Sequence, residues 1–271
     1  MQPFAGKTAI ITGSTSGMGE ATARLMAARG AEAILVTGRS RNRGEAVARS
    51  LGDHGGVEVV FVEADLALPT AYRRITETAD RCFGRIDILV NSAGSTARGS
   101  IETTALHQWD EIMAINLRSP FFLMQETVRI MRREGQGGTI VNVGSVAAHG
   151  GSPHITPYSA SKAALAALSR NVAYSVMRDR IRVNCLQPGW ADTPAEHKTQ
   201  ARNGAGDDWL ARAEARSPFG RLLQAGEIAE AIAFLASDAS GLMTGAVIDY
   251  DQSVQGAGSP PQPPPPPDAG S

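Results

Sequence analysis

Cysteine is scarce in this 271-residue chain: Cys82 and Cys185 are its only two, and neither lies in a metal-ligand or redox spacing. A disulfide framework is thereby excluded, no metal site is expected, and a reduced, cytoplasmic setting suits the pair. An excess of either charge is also missing. Lys plus Arg number 26 against 27 for Asp plus Glu, so the chain has no bulk grip on polyanions and no nucleic-acid partner is expected. Long hydrophobic runs are lacking as well. Met1 to Lys7 is followed by only a few apolar residues before Gly13, neither the core of a signal peptide nor a membrane span. The expectation is a soluble intracellular protein without membrane contact, and no internal repeat is visible.

What is present suffices for a folded core. Apolar residues make up 42% and charged residues 20% of the sequence, which argues against general disorder. The length fits one large α/β domain. Short β-branched runs alternate with stretches of helical periodicity, the pattern of a parallel sheet with crossover helices. Strands are expected at residues 8–12, 33–37, 57–62, 86–91, 139–143, 180–186 and 246–250, and helices at 19–29, 41–51, 69–83, 106–133, 157–178 and 226–237. Two stretches break the rhythm. Residues 190–218 are too long for a simple connection and carry Trp209 as an internal anchor, so a substrate lid is expected there. Residues 256–271 hold seven of the 15 prolines, which favours an extended polyproline II tail, either solvated or docked on a partner's aromatic groove.

Directly after the first strand the chain reads Thr12-Gly13-Ser14-Thr15-Ser16-Gly17-Met18-Gly19, and a helix pattern opens at once. Glycine lets a backbone turn sharply and approach a pyrophosphate, while the helix presents unpaired amides and its positive end to that anion. A strand, turn and helix in this context point to dinucleotide binding.

After the fifth strand comes Ser145, and thirteen residues later Tyr158-Ser159-Ala160-Ser161-Lys162 opens a helical pattern. Tyr158 and Lys162 are four apart, so a helix stacks them on one face, where an ammonium favours the phenolate. One charge about 5 Å away at an effective dielectric of about 20 supplies roughly 3 kcal/mol, which brings a phenol toward neutral pH. Such a phenol can protonate a carbonyl oxygen while hydride arrives at carbon, and as phenolate can take the alcohol proton in reverse. Ser145 can hydrogen-bond the same oxygen as it gains charge. A Tyr and a Lys at this spacing alone would more often be a surface pair; the preceding Ser145 reverses that reading.

Together with Asn91-Ser92-Ala93-Gly94 after the fourth strand, these motifs resemble the short-chain dehydrogenase/reductase family, and the resemblance covers about residues 5–255. It implies a Rossmann-type, doubly wound, parallel seven-stranded sheet with helices on both faces, in a single domain over 1–255. It also implies that Asn116 completes a catalytic tetrad by holding a proton-relaying water, that Asp65 with Leu66 meets the adenine, and that Asn91, Ala93 and Gly94 lie along the adenine ribose. Pro188, Gly189, Ala191 and Thr193 match the segment lining the nicotinamide. Where the family commonly has Asp-Gly-Gly after the last strand, this chain has Asp251-Gln252-Ser253. A homo-oligomer, tetramer or dimer, built through that strand and the last helix is expected by resemblance.

Enzymes selecting NAD(H) usually end the second strand on a carboxylate that binds the ribose 2′-hydroxyl. Here the strand ends Thr37-Gly38-Arg39, and Arg39 can fork onto a 2′-phosphate, with Arg41, Arg43 or Ser14 in reserve. NADP(H) is favoured; NAD(H) remains open if Arg39 merely starts a solvated helix. The reading is an NADP(H)-dependent oxidoreductase that moves hydride between nicotinamide and a carbonyl or secondary alcohol of a small molecule. His149, Trp190 and Asp192 lean it toward a sugar or polyol, with Ser145, His149, Tyr158 and Trp190 facing the substrate. The alternatives are a 3-oxoacyl thioester reductase and, from another class, a non-catalytic NADP(H)-sensing regulator.

Overall fold

The computed structural model describes residues 2–53 and 56–257. Apart from Gly256 and Ala257, the proline-rich tail expected at 256–271 lies outside the described residues. Among them the strands are β1 (Thr8–Thr12), β2 (Ala33–Gly38), β3 (Glu58–Glu63), β4 (Ile88–Asn91), β5 (Gly138–Val143), β6 (Ile181–Pro188), β7 (Ala191–Asp192), β8 (Leu223–Gln224) and β9 (Val247–Tyr250). Seven form one sheet in the order β3-β2-β1-β4-β5-β6-β9, every pair parallel. The order reverses between β1 and β4, and in such sheets a crevice opens at the carboxyl ends of the strands at that point.

The helices are α1 (Gly17–Ala28), α2 (Arg41–Gly52), α3 (Ala71–Phe83), α4 (Leu106–Met113), α5 (Ser119–Glu134), α6 (Thr156–Val176), α7 (Pro194–Arg202), α8 (Trp209–Arg216) and α9 (Ala225–Ala236). Successive side chains of a strand point to opposite faces, so the sheet sorts its core in two. Ile11, Val36 and Val90 pack under Met26 of α1, Val47 of α2 and Ile228 of α9. Ile10, Leu35 and Leu89 pack against Ile75 of α3, Leu123 of α5 and Ala173 of α6. Because both faces are covered, β1 reads Thr-Ala-Ile-Ile-Thr and is buried throughout, as a central parallel strand requires.

Two departures from the sequence expectation bear on the site. The single helix expected over 106–133 is broken by a π-helical turn, Ala114–Arg118, between α4 and α5. Apolar periodicity continues across the turn and conceals it; such turns insert one residue and re-aim a side chain. In the irregular 190–218 segment, α7 and α8 form beside the paired short strands β7 and β8. Trp209 is buried there against Ala213 and Leu222.

Candidate active site

A cleft of about 1070 Å³ opens at the carboxyl ends of the strands, lined by the turns after β1 to β5, by the first turns of α6 and by α7. At its inner end the glycines of the first turn have distinct duties. Gly13 has φ +67°, and a Cβ there would stand 2.8 Å from the Ala93 Cα; a Cβ on Gly19 would stand 2.6 Å from the Gly13 carbonyl oxygen. Neither obstacle is a side chain that can swing away. Thr12 Oγ1 accepts from the Ser92 and Ala93 amides, 3.1 Å each, and so ties the β4 turn to the end of β1. Ser16, at the N-cap of α1, makes no side-chain cap bond, so its hydroxyl satisfies none of the first-turn amides. A backbone cradle with free amides at a helix N-terminus is what a pyrophosphate needs, and Gly13, Thr15, Ser16, Gly17, Met18 and Gly19 all line the cleft. A dinucleotide fits this donor set.

Beyond β2 the cleft meets Arg39 and Arg43. Of the groups expected to support Arg39, two are engaged elsewhere. Arg41 pairs with Glu63 at 2.8 Å, and the buried Ser14 Oγ donates to the Ile11 carbonyl at 2.6 Å while accepting from the Thr37 amide at 2.9 Å. Arg39 and Arg43 have no ion pair among the described residues. Asp65 and Leu66, after β3, line the cleft as well, and Asp65 Oδ1 accepts from the Ala67 amide at 3.0 Å, which fixes its turn.

The other end is built by β5 and α6. Ser145 caps the short 3-10 turn Val146–His149, its Oγ accepting from the Ala147 amide at 3.2 Å, and both Ser145 and Tyr158 line the cleft. One turn along α6, the buried Lys162 donates from Nζ to the Val143 carbonyl at 2.7 Å and stands 5.8 Å from the centre of the Tyr158 ring. The expected drop of the phenol toward neutral pH is corrected here. Burial pushes Tyr158 above its ordinary value, the Ser145 hydrogen bond opposes this, and the Glu196 carboxylate adds to the rise. The same burial lowers Lys162 to about 8. Removing the phenolate from water is the largest effect on the phenol.

Comparison with known proteins gives this geometry its context. A family model described as enoyl-(acyl carrier protein) reductase matches residues 13–254. The chain is 36% identical to cis-4-hydroxycyclohexanecarboxylate dehydrogenase of Sinomonas cyclohexanicum over 92% of this chain and 97% of the relative. It is 34% identical to a 3-oxoacyl-[acyl-carrier-protein] reductase of Thermotoga maritima over 91% and 96%. Among solved structures, L-sorbose reductase from Gluconobacter frateurii, complexed with NADPH and L-sorbose, aligns with a TM-score of 0.89 at 32% identity, over 95% of this chain and 100% of that one. The chain belongs to the short-chain dehydrogenase/reductase family. It is an oxidoreductase that moves hydride between a nicotinamide and a carbonyl or alcohol group.

Against that family pattern the structure brings most of the expected residues to one cleft, Ala93, Gly94, Gly189, Trp190, Ala191 and Thr193 among them, and leaves others beside it. Pro188 ends β6 and does not line the cleft. Asn91 donates from Nδ2 to Asn142 Oδ1 at 2.8 Å, and its own Oδ1 is buried without a partner among the described residues. Asn116, turned inward by the π turn, accepts from the Ser95 amide at 2.7 Å and donates to the Ser95 carbonyl and Ser161 Oγ, 3.0 Å each. Its whole amide thus ties the β4 loop to α6. His149 turns outward instead of lining the cleft, its Nε2 2.9 Å from both Asp249 carboxylate oxygens. Asp192 bonds His197 Nε2 at 2.7 Å. Gln252, in place of the usual glycine, accepts from the Phe219 amide and donates to the Arg221 carbonyl, 2.8 Å each, and so anchors residues 219–221. Arg98, Glu111, Lys198 and Arg202 also line the cleft. The sequence carries no helix signal strong enough to place Lys198 and Arg202 on one face except the run Thr193-Pro194-Ala195-Glu196, a cap residue before Pro and an acid.

Proposed function

We propose that this chain is an NADP(H)-dependent oxidoreductase acting on a carbonyl or secondary alcohol of a small hydroxylated compound, a sugar or polyol, with Tyr158 as its acid and base. The observation that carries the reading is one cleft with a glycine cradle and two arginines without an ion pair among the described residues at one end, and Ser145, Tyr158 and the buried Lys162 at the other. A nicotinamide dinucleotide bound there supplies or accepts the hydride. In reduction Tyr158 gives its phenolic proton to the carbonyl oxygen as hydride reaches the carbon, and in oxidation its phenolate takes the hydroxyl proton. Ser145 donates to the same oxygen as charge builds. Lys162, steadied by the Val143 carbonyl, has two further N–H groups for ribose hydroxyls. Asn116 positions the loop beside Lys162. Arg39 and Arg43 would hold a 2′-phosphate, supported by their lack of an internal carboxylate partner. The segment 190–218 acts as the lid over the substrate, since α7 lines the cleft.

A homo-oligomer in the cytoplasm belongs to the same proposal. The exposed Phe234 on α9 and Leu242 and Met243 ahead of β9 supply an apolar edge for a second copy, and Cys82 and Cys185 are unpaired. The Thermotoga maritima relative favours a 3-oxoacyl thioester as the second reading. Absorbance at 340 nm with a panel of ketoses, polyols and 3-oxoacyl thioesters decides between them. Tyr158→Phe should lower kcat by about 10²- to 10⁴-fold while NADPH affinity survives; full turnover by that variant would refute the assignment, and tight cofactor binding without turnover on any member of the panel would favour the sensor.

A further inference from the structure

The mouth of the cleft carries positive charge that the chemistry above does not use. α7 presents Ala195, Lys198, Thr199 and Arg202 to the cavity, spaced as one face of a helix requires. Opposite stands Arg98, in the loop after β4, and the two sides meet where Thr96 Oγ1 lies 3.4 Å from Thr199 Oγ1. Arg98 is fixed close to the reacting end: the Gly99 amide donates to the His154 carbonyl at 2.9 Å and the Thr156 amide donates to the Gly99 carbonyl at 3.0 Å, in the first turn of α6 that carries Tyr158.

Arg98, Lys198 and Arg202 are exposed, and among the described residues none has an ion pair or a side-chain hydrogen bond. Besides Asp65, which lies after β3 at the cofactor end, two carboxylates line the cleft. Glu196 is occupied, its Oε1 accepting from Trp190 Nε1 at 2.9 Å and Gln200 Nε2 at 2.6 Å, whereas Glu111 on α4 stands exposed. Three cations against these two acids leave the rim positive, and their forked and tetrahedral donors suit a carboxylate or a phosphate.

We propose that Arg98, Lys198 and Arg202 form an anion subsite, so that the preferred substrate carries a carboxylate or phosphate several bonds from the carbon that exchanges hydride. The proposal rests on the oxidoreductase reading for the reacting end. A sugar acid or sugar phosphate would then lie with its anion under α7 and its carbonyl at Tyr158, held at two points.

L-Sorbose and 5-keto-D-gluconate share their stereocentres and differ at the end remote from the ketone, hydroxymethyl against carboxylate; L-sorbose 6-phosphate places a phosphate at that same end. The Tyr158→Phe chain loaded with NADP+ should bind D-gluconate about tenfold tighter than D-glucitol by calorimetry, with the advantage falling as salt rises. The double variant Lys198→Gln/Arg202→Gln on that background should abolish the advantage, and Arg98→Gln should reduce it. In the wild-type enzyme, kcat/KM for 5-keto-D-gluconate or L-sorbose 6-phosphate should exceed that for L-sorbose by a similar factor, and whichever leads names the anion. Equal affinity for gluconate and glucitol, including no binding of either, or an advantage that survives the double variant, overturns the subsite. Preference in binding without turnover on any of the three sinks the oxidoreductase reading and leaves the subsite standing.

Discussion

Replacing Lys162 by methionine should make the free protein more stable relative to wild type at pH 7 than at pH 10.5. Lys162 is buried, and burial lowers its ammonium from 10.5 to about 8. At about 1.4 kcal/mol per tenfold change, that fall corresponds to about 3 kcal/mol of charge desolvation that the native state carries. The direction follows from proton counting. Below about pH 8 the lysine is protonated both folded and unfolded, so the whole cost is present. Between about pH 8 and 10.5 the unfolded chain holds the proton and the native chain releases it, so wild-type stability gains about 3 kcal/mol across that window. Methionine keeps the stem and removes the charge. It also removes the hydrogen bond to the Val143 carbonyl, a pH-independent loss of about 1 to 2 kcal/mol. Urea unfolding of both proteins without cofactor, at matched concentration, should show a stability difference that moves by about 3 kcal/mol in favour of wild type from pH 7 to pH 10.5. Activity in the variant should collapse throughout. A difference that does not change with pH would mean that this amine is not desolvated and that the cleft floor is wetter than its packing implies.

Changing Arg39 to Asp should raise KM for NADPH by about 10- to 100-fold, the loss of one charge-assisted contact, with much less effect on NADH; equal effects in steady-state kinetics would dissociate Arg39 from the 2′-phosphate. Gly19→Ala puts a methyl 2.6 Å from the Gly13 carbonyl oxygen. It should weaken NADPH binding at least tenfold by fluorescence titration, at a stability cost of about 1 to 3 kcal/mol, and unchanged affinity would show that the turn does not touch the dinucleotide. Because burial raises the Tyr158 phenol, its proton is present across the neutral range. Initial rates should therefore show carbonyl reduction nearly flat through neutral pH, with alcohol oxidation climbing as the medium becomes alkaline; an acidic optimum for oxidation would contradict the assignment.

The seven sheet strands could be read from sequence to within a few residues, because a strand buried on both faces has to be an unbroken β-branched run, as Ala-Ile-Leu-Val-Thr from Ala33 shows. The glycine turn was equally legible, since strand, turn and helix constrain one another over a dozen residues. The π turn at Ala114–Arg118 was hidden because one inserted residue leaves the apolar pattern on both sides intact. Side-chain commitments were hidden for a different reason. That Arg41 pairs with Glu63 and Ser14 turns inward depends on what β3 and β2 bring near, and residue order does not specify it. The same holds for Tyr158, where spacing announces the neighbouring ammonium but not that Lys162 is buried and Tyr158 half-buried. Helices α7 and α8 escaped notice because their faces are mostly polar, and only Trp209 signals a buried side.

Arg98, Lys198 and Arg202 stand on one loop and one short helix, outside the two large hydrophobic clusters on either face of the sheet. Residues that choose the substrate are therefore uncoupled from residues that keep the domain folded. Directed evolution confined to Arg98, Lys198 and Arg202 could sample new specificities at little cost in stability, and substitutions there should be tolerated more readily than at any position along β1 or β4.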